Sequence, residues 1–149
     1  MAVFRYKMKN VLDVKLKLED QAKAAFAEAM AILNAEEEKL AALFKRLEWY
    51  EEEGRRMRRD SIDVNELRDN TRAIDNLKDQ IEAQKENVKR AQAGVDRARN
   101  ELNTAMQERK IQEKLRDNAF EEFKHELNVA ESKEVDELVS YRHGRKAGL

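Results

Sequence analysis

Apolar side chains recur most regularly between residues 63 and 140, at alternating spacings of three and four residues. The mean period is therefore about 3.5 residues, which is typical of helices in coiled coils. The positions are Ile74, Leu77, Ile81, Val88, Ala91, Val95, Ala98, Leu102 and Ala105, and Gln84 is the polar residue that interrupts them. A stripe this narrow is buried only against another helix, so the segment predicts a long helix with a helical partner.

The N-terminal third of the chain carries a second stripe that can supply this partner. Its apolar positions are Val11, Val14, Leu18, Ala22, Ala25, Ala29 and Ile32. The stripe slips by about one residue at Glu36 and resumes with Leu40, Leu43, Leu47 and Tyr50. The slip predicts a local change of supercoiling within an otherwise continuous helix.

A reversal between the two helices is predicted at Gly54 and at the basic cluster 55–59, which reads RRMRR. Glycine can adopt the left-handed conformation that ends a helix, and cations are favoured at a helix C-terminus. Asp63 is the predicted N-cap of the second helix, because Glu66 stands at the N3 position of a capping box, and Ser61 is the alternative N-cap. A short connection of this kind makes the helices antiparallel neighbours.

The predicted fold class is all-α, a long antiparallel two-helix coiled coil or helical hairpin. Residues 1–149 are expected to form a single elongated domain. Its parts are a first helix at about 3–53, a tip at 54–62, a second helix at about 63–140 and a frayed tail at 141–149. A reversal near residue 58 places position i roughly opposite position 118 minus i, so the second helix overhangs beyond about residue 116.

This register brings small residues of both helices to the same level around Ala25 and Gly94, where we expect the helices to approach most closely. The overhang is itself amphipathic, because apolar side chains recur along one side of it. They are Ile111, Leu115, Ala119, Phe120, Phe123 and Leu127. An exposed stripe of this size needs another surface to cover it.

Composition narrows the class of protein further. Charged residues make up 41% of the chain, which has neither proline nor cysteine, and the formal net charge is −1. Such a polar chain favours long paired helices over a globular core, and its balanced charge gives no overall attraction to nucleic acid or acidic membranes. No apolar run approaches the ~20 residues of a membrane span, and no signal peptide is evident. We therefore expect a cytoplasmic protein.

No arrangement of residues suggests an enzyme, a cofactor or a metal site. His125 and His143 lack the partners that catalysis or metal binding requires, and we interpret both as surface residues. The basic cluster 55–59 could contact nucleic acid, but its acidic neighbours favour a solvated turn. Tyr50 continues the apolar stripe, so its neighbour Trp49 is expected to be exposed and is a candidate contact for a partner.

Three segments resemble one known family. They are FRYKMKNVLDVK at residues 4–15, SIDVNELRDNTRAIDNLKDQIEAQ at 61–84 and ERKIQEKLRDNAFEEFKHELNVAESKEVDELVSYRHGR at 108–145. The opening pattern F-x-Y-x-x-x-x-V-L-D and the closing pattern K-x-x-D-E-L-x-x-x-R are more specific than heptads alone. Over essentially its whole length, the chain resembles the FliJ family of flagellar export proteins.

This resemblance implies a non-enzymatic stalk of the flagellar type III export apparatus, needed for flagellum assembly, motility and chemotaxis. Such a stalk inserts into the hexameric export ATPase, promotes its assembly and activity, and couples it to the membrane export gate and to export chaperones. It implies a protein that is monomeric in isolation and peripherally associated with the inner face of the cell membrane at the flagellar base, with no membrane insertion and no bound nucleic acid.

The resemblance also implies two sets of contact residues. Contacts with the ATPase ring are expected at Phe4, Arg5, Tyr6, Arg116, Phe120 and Phe123. Contacts with the export gate are expected near the tip at Leu43, Arg46, Tyr50, Ala73, Leu77 and Gln80. Trp49 is added to this set because we expect its side chain to be exposed. Packing within the hairpin explains Leu43 and Leu77 equally well.

Two other classes of protein stay open. One is a central-stalk subunit of a rotary ATPase, or the counterpart of an export stalk in an injectisome. A rotary stalk usually has a sheet domain between its helices, and no alternating strand pattern occurs here. The other is a generic coiled-coil scaffold in which two chains pair in parallel without a hairpin.

Overall fold

The structure is a computed structural model that describes residues 2–147. It contains two helices, α1 at Lys9–Arg59 and α2 at Val64–Ala147, which pack against each other. Residues 2–147 include no strand. Side-chain contacts run in opposite directions along the two helices, since Tyr50 lies next to Asn70 and Glu36 next to Gln84. The predicted helical hairpin with a longer second helix is confirmed.

The chain divides into two compact units. Unit 1 consists of Met1–Glu19 with Thr104–Leu149, and unit 2 consists of Asp20–Asn103. Within each unit, side chains of α1 pack against side chains of α2. The organisation of residues 1–149 as a single elongated domain stays a prediction.

The seam of α2, meaning the residues that face α1, follows the predicted heptad closely. Leu77, Ile81, Val95 and Ala98 are buried, and Ile74, Val88, Ala91, Leu102 and Ala105 are half-buried. Gln84 is also buried on this seam, so the heptad continues through the polar residue. A fully buried aliphatic side chain contributes roughly 1.5–3 kcal/mol relative to an exposed one, which makes these residues the main apolar support of the pairing.

The seam of α1 differs from its prediction. Val14, Leu18, Ala25 and Ile32 are exposed. The residues with low exposure stand mostly one position later, at Leu12, Lys15, Glu19, Ala22, Phe26, Ala29, Leu33, Glu36, Leu40, Leu43, Leu47, Tyr50, Gly54 and Met57. Their spacings alternate between three and four without a slip at Glu36, so the predicted change of supercoiling is wrong. The slip arose because polar residues occupy heptad positions that we expected to be apolar.

Glu36 is one of these polar seam residues in unit 2. The side-chain amide of Gln84 donates to the Glu36 carbonyl oxygen at 2.9 Å and to its carboxylate at 2.5 Å. The hydrogen bond to the carboxylate, with a smaller contribution from Lys39, holds the pKa of Glu36 below its usual range, against the opposing effect of desolvation. Asn87 in turn donates to the Gln84 side-chain oxygen at 3.1 Å. The polar layer is thus hydrogen-bonded, as buried polar groups need to be.

A second polar layer lies in unit 1, where Arg109 and Glu19 form a salt bridge across the seam. Arg109 also bonds Glu113 at 2.8 Å, and the carboxylate of Glu19 contributes most to raising the pKa of the arginine. Lys15 and Glu108 form a further ion pair at 3.0 Å. Arg109 thus occupies a seam position of α2. Buried ion pairs of this kind favour one register more than they add stability.

The register follows from the position of the reversal, which residues 60–63 form between α1 and α2. The prediction placed position 103 opposite Lys15, whereas Lys15 bonds Glu108. The shift arises because α1 extends further than expected before the chain turns. Asp63 is the N-cap of α2, as predicted, since its carboxylate accepts a hydrogen bond from the Asn65 backbone N–H at 2.9 Å.

Gly54 does not end α1, which continues for five more residues to Arg59. Glycine inside a helix costs only about 1 kcal/mol, and the ion pairs Arg55–Glu52 and Arg56–Glu53 bridge the same turns. Gly54 has a packing role instead, because a Cβ there would lie 2.7 Å from the side-chain oxygen of Asn70. The close approach lets Asn70 donate a hydrogen bond to the Tyr50 carbonyl oxygen at 2.9 Å.

Gly94 has no comparable packing role, since a Cβ there would meet no atom within 4 Å. It lies in a shallow groove of unit 2 with Ala29 and the exposed Ile32. The expected closest approach of the helices near Gly94 stays a prediction.

The ends of the helices also differ from their predicted positions. α1 begins at Lys9 instead of residues 2–4, and α2 continues to Ala147 instead of ending near residue 140. Residues 141–147 of the predicted frayed tail are therefore helical, and Gly148 and Leu149 lie outside the described residues. Residues 2–8 form a non-helical N-terminal segment that packs along α2 in unit 1.

Candidate functional site

The first candidate surface is a cluster of three phenylalanines in unit 1, which we name the aromatic cluster. Phe4 of the N-terminal segment contacts two side chains of α2, with ring centroids 5.1 Å from Phe120 and 5.5 Å from Phe123. Both geometries are inclined, as favourable aromatic pairs are. The Lys124 ammonium lies 5.0 Å above the ring of Phe120. The cluster therefore brings together three of the six predicted ATPase-ring residues.

The N-terminal segment reaches the aromatic cluster because it is not helical. An extended chain advances about 3.3 Å per residue and a helix about 1.5 Å, so a few extended residues span several turns of α2. Tyr6 anchors the segment by donating its hydroxyl to the Gln112 side-chain oxygen at 3.3 Å. The sequence predicted that α2 would have no packing partner beyond about residue 116. This is wrong for the part of α2 up to Glu126, because the N-terminal segment and α2 together line a groove of about 610 Å³ there.

The two remaining ATPase-ring candidates, Arg5 and Arg116, are exposed. Arg5 lines the same groove beside Lys7, while Glu122 and Glu126 line it from α2. The groove therefore presents both signs of charge around an apolar floor. Further along α2, the apolar side chains at Val129, Val135, Leu138, Val139 and Tyr141 are exposed.

The second candidate surface lies in unit 2 near the reversal, and we name it the tip pocket. It has a volume of about 420 Å³ and is lined by Trp49, Tyr50, Glu53, Met57, Glu66, Asp69, Asn70 and Ala73. Trp49 is 58% exposed, and its ring meets the edge of Tyr50 at a centroid distance of 4.9 Å and an angle of 87°. Because Tyr50 is fixed on the seam, this contact positions the exposed indole.

The structure separates the predicted export-gate residues by exposure. Arg46, Trp49 and Gln80 are exposed, whereas Leu43, Tyr50 and Ala73 are half-buried on or beside the seam. Leu77 is only 2% exposed, so its side chain offers no surface to a partner in this conformation. The tip pocket brings together three members of the predicted set, Trp49, Tyr50 and Ala73.

The basic cluster 55–59 is engaged by carboxylates of the same helix. Arg55 bonds Glu52 at 2.8 Å and Arg56 bonds Glu53 at 2.6 Å. The hydrogen bond from Arg55, followed by its positive charge, lowers the pKa of Glu52. Three arginines stand in the last turn of α1, where their charge complements the helix C-terminus. These contacts fit the interpretation of a solvated, charge-balanced helix end.

Sequence reasoning missed the acidic side of the tip pocket. Glu66 was assigned only to helix capping, and neither Asp69 nor Met57 was singled out. Their approach to Trp49 depends on α1 extending past Gly54, which a prediction that ends the helix there cannot show. The spacing of Glu66, Asp69 and Ala73 along one side of α2 was the available signal.

His125 and His143 are exposed positions of α2. Within residues 2–147, no group of three or more histidine, aspartate or glutamate side chains is placed to hold a metal ion. Neither α1 nor α2, over the part that the structure describes, has an apolar stretch that could cross a membrane.

The chain was compared with models of known protein families. The family model described as Flagellar FliJ protein matches residues 4–148, which is nearly the whole chain and includes both candidate surfaces. The comparison with curated proteins and that with solved structures gave no match.

Proposed function

The chain belongs to the FliJ family, a non-catalytic component of flagellar protein export, and we propose that it serves there as a stalk. The stalk inserts into the hexameric export ATPase, promotes ring assembly and ATP hydrolysis, and couples the ring to the membrane export gate. It also binds export chaperones. We place it in the cytoplasm, peripherally associated with the inner face of the membrane at the flagellar base.

The family match over residues 4–148 is the observation that carries this proposal, because it spans α1, the reversal and most of α2. Paired helices also suit the mechanical task, since a hairpin resists bending and twisting better than a flexible linker does. The polar layers at Glu36 and Arg109 support it further, because a shift of register would separate their hydrogen-bonded partners. We propose that the whole chain acts as one elongated domain.

We assign the ATPase-ring contact to the aromatic cluster and its groove. Aromatic and arginine side chains are the commonest energetic anchors of protein interfaces, and this part of unit 1 presents Phe120, Arg5 and Arg116 at its surface. Phe4 shapes the surface by packing against both Phe120 and Phe123. The export-gate contact is assigned to the exposed residues Arg46, Trp49 and Gln80 near the reversal.

The proposal is tested by mixing the purified chain with its cognate export ATPase. We expect faster ATP hydrolysis and a larger fraction of hexameric rings, measured by phosphate release and by electron microscopy of negatively stained samples. Neither effect requires the gate or a chaperone. An ATPase whose turnover and ring content are unchanged over a wide excess of the chain would refute the stalk function.

The ring contact itself is tested by Phe120→Ala. The substitution removes an exposed ring at the proposed interface, so we expect ATPase stimulation to fall at least about fivefold. Phe44→Ala is the matched control, because Phe44 is also a helical phenylalanine of similar exposure, 45% against 40% for Phe120. Both variants are first compared by circular dichroism. If Phe120→Ala and Phe44→Ala stimulate the ATPase equally at equal helicity, the aromatic cluster is not part of the ATPase interface.

A further inference from the structure

The tip pocket combines apolar and acidic surfaces in a way that selects for one class of ligand. Its apolar part is formed by Trp49, Met57 and Ala73, with the indole held in place by Tyr50. Met57 is the flexible member and can adapt its thioether to an inserted side chain. These residues offer an aromatic face and an aliphatic wall to whatever enters the pocket.

The remaining rim of the tip pocket is acidic. Glu53, Glu66 and Asp69 line it, and the lining residues include neither lysine nor arginine. Arg56 already bonds Glu53 at 2.6 Å, so the carboxylates that matter most are those of Glu66 and Asp69. Both are exposed residues in the early turns of α2. The pocket therefore carries local negative charge in a chain whose formal net charge is only −1.

We propose that the tip pocket binds an arginine or lysine side chain of a polypeptide segment of the export apparatus. The cation lies against the Trp49 indole, where the ring quadrupole attracts it, and donates hydrogen bonds to Glu66 and Asp69. The aliphatic stem of the same side chain covers Met57 and Ala73. The proposal rests on the proposed function for the source of the segment, and on the pocket's own residues for its chemistry.

Other ligand classes fit the tip pocket less well. An acidic segment would meet the charges of Glu66 and Asp69 at short range and be repelled. A purely apolar segment would bury these carboxylates without returning the hydrogen bonds that they make to water. A basic side chain compensates both carboxylates and uses the indole at the same time, which makes it the complementary occupant.

The test uses Trp49 as an intrinsic reporter, because it is the sole tryptophan of the chain. The full-length protein is titrated with an N-acetylated, C-amidated peptide of sequence GSLRLRSG and, separately, with GSLELESG. We expect the basic peptide to change the indole emission saturably and the acidic peptide to have no saturable effect. Raising the salt concentration should weaken the basic peptide's binding, since screening acts on exposed charges.

The carboxylates are tested with the double variant Glu66→Gln/Asp69→Asn, for which we expect about tenfold weaker binding of the basic peptide. The control is Asp79→Asn/Glu86→Gln, which removes the same charge from exposed positions of α2 outside the tip pocket and should bind like wild type. Equal effects of the two peptides, or wild-type binding by the first double variant at unchanged helicity, would overturn the proposal.

This titration contains no export component, so its failure is distinguishable from failure of the stalk function. If the basic peptide binds but the chain does not stimulate the ATPase, the proposed ligand of the tip pocket stands and the proposed stalk function is refuted. ATPase stimulation without selective peptide binding would retain the stalk and refute the pocket's proposed chemistry.

Discussion

Insertion of one alanine after Gly94 is expected to lower the melting temperature by about 10 °C. One extra residue rotates the following part of α2 by about 100°, which turns Val95, Ala98 and Leu102 away from α1. Val95 and Ala98 are buried and Leu102 is half-buried, so the loss is roughly 3–6 kcal/mol of apolar burial. The melting temperature is measured by thermal unfolding, with the helical circular dichroism signal as the readout.

The matched control for this variant is an alanine inserted after Ser140. The side chains around that position, including Leu138 and Tyr141, are exposed, so a rotation there changes no described seam contact. We expect its melting temperature to stay within about 2 °C of wild type. A Gly94 insertion that melts like the Ser140 insertion would show that the heptad of α2 does not hold the hairpin together.

Leu77→Ala is expected to reduce the free energy of unfolding by about 2–4 kcal/mol. Leu77 is 2% exposed on the seam, and truncating a buried leucine removes apolar contacts and leaves a cavity. Chemical denaturation with urea gives the change directly, provided that the slope against denaturant is the same for both proteins.

Leu138→Ala is the control, since Leu138 is a leucine of the same helix that is 58% exposed. Its expected effect is below about 0.5 kcal/mol. The comparison also bears on the predicted export-gate contacts, of which Leu77 is one. If Leu77→Ala weakens binding to the gate while leaving the unfolding free energy unchanged, Leu77 is a contact residue and its assignment to the seam is wrong.

The heptad of α2 could be predicted from the sequence because its seam is built mainly from apolar side chains. The seam of α1 could not, because Lys15, Glu19 and Glu36 occupy heptad positions. A pattern search that rewards apolar residues assigned Val14 and Leu18 in place of these polar residues. These polar side chains form hydrogen bonds or ion pairs on the seam with partners such as Arg109 and Gln84, which lie far away along the chain.

The ends of the helices were predicted less well than the seam of α2. Gly54 is a typical helix-ending residue, and its actual role, giving room to Asn70, depends on a contact sixteen positions away. The start of α1 is displaced because residues 2–8 are not helical and instead pack along α2, a contact that lies more than a hundred positions away in the chain. The Asp63 N-cap was predictable because its hydrogen bond is local.

The candidate surfaces were accessible to sequence reasoning only in part. The resemblance selected Phe4, Phe120 and Phe123 as contact candidates, and the structure adds that Phe4 packs against both of the other rings. For the tip pocket, the exposure of Trp49 followed from the seam position of its neighbour Tyr50. The acidic rim depends on where the chain reverses, and a displacement of a few residues in that reversal changes which side chains meet.

The stalk function and the tip pocket both require α1 to fold back along α2 of the same chain, in the register in which Glu36 faces Gln84. The variant Glu36→Cys/Gln84→Cys tests this directly, because the native chain has no cysteine. On mild oxidation we expect an intrachain disulfide, seen as a monomer of altered mobility on a non-reducing gel, and far less from the exposed pair Asn34→Cys/Glu86→Cys. Predominantly interchain dimers, or equal crosslinking of the two pairs, would contradict the hairpin.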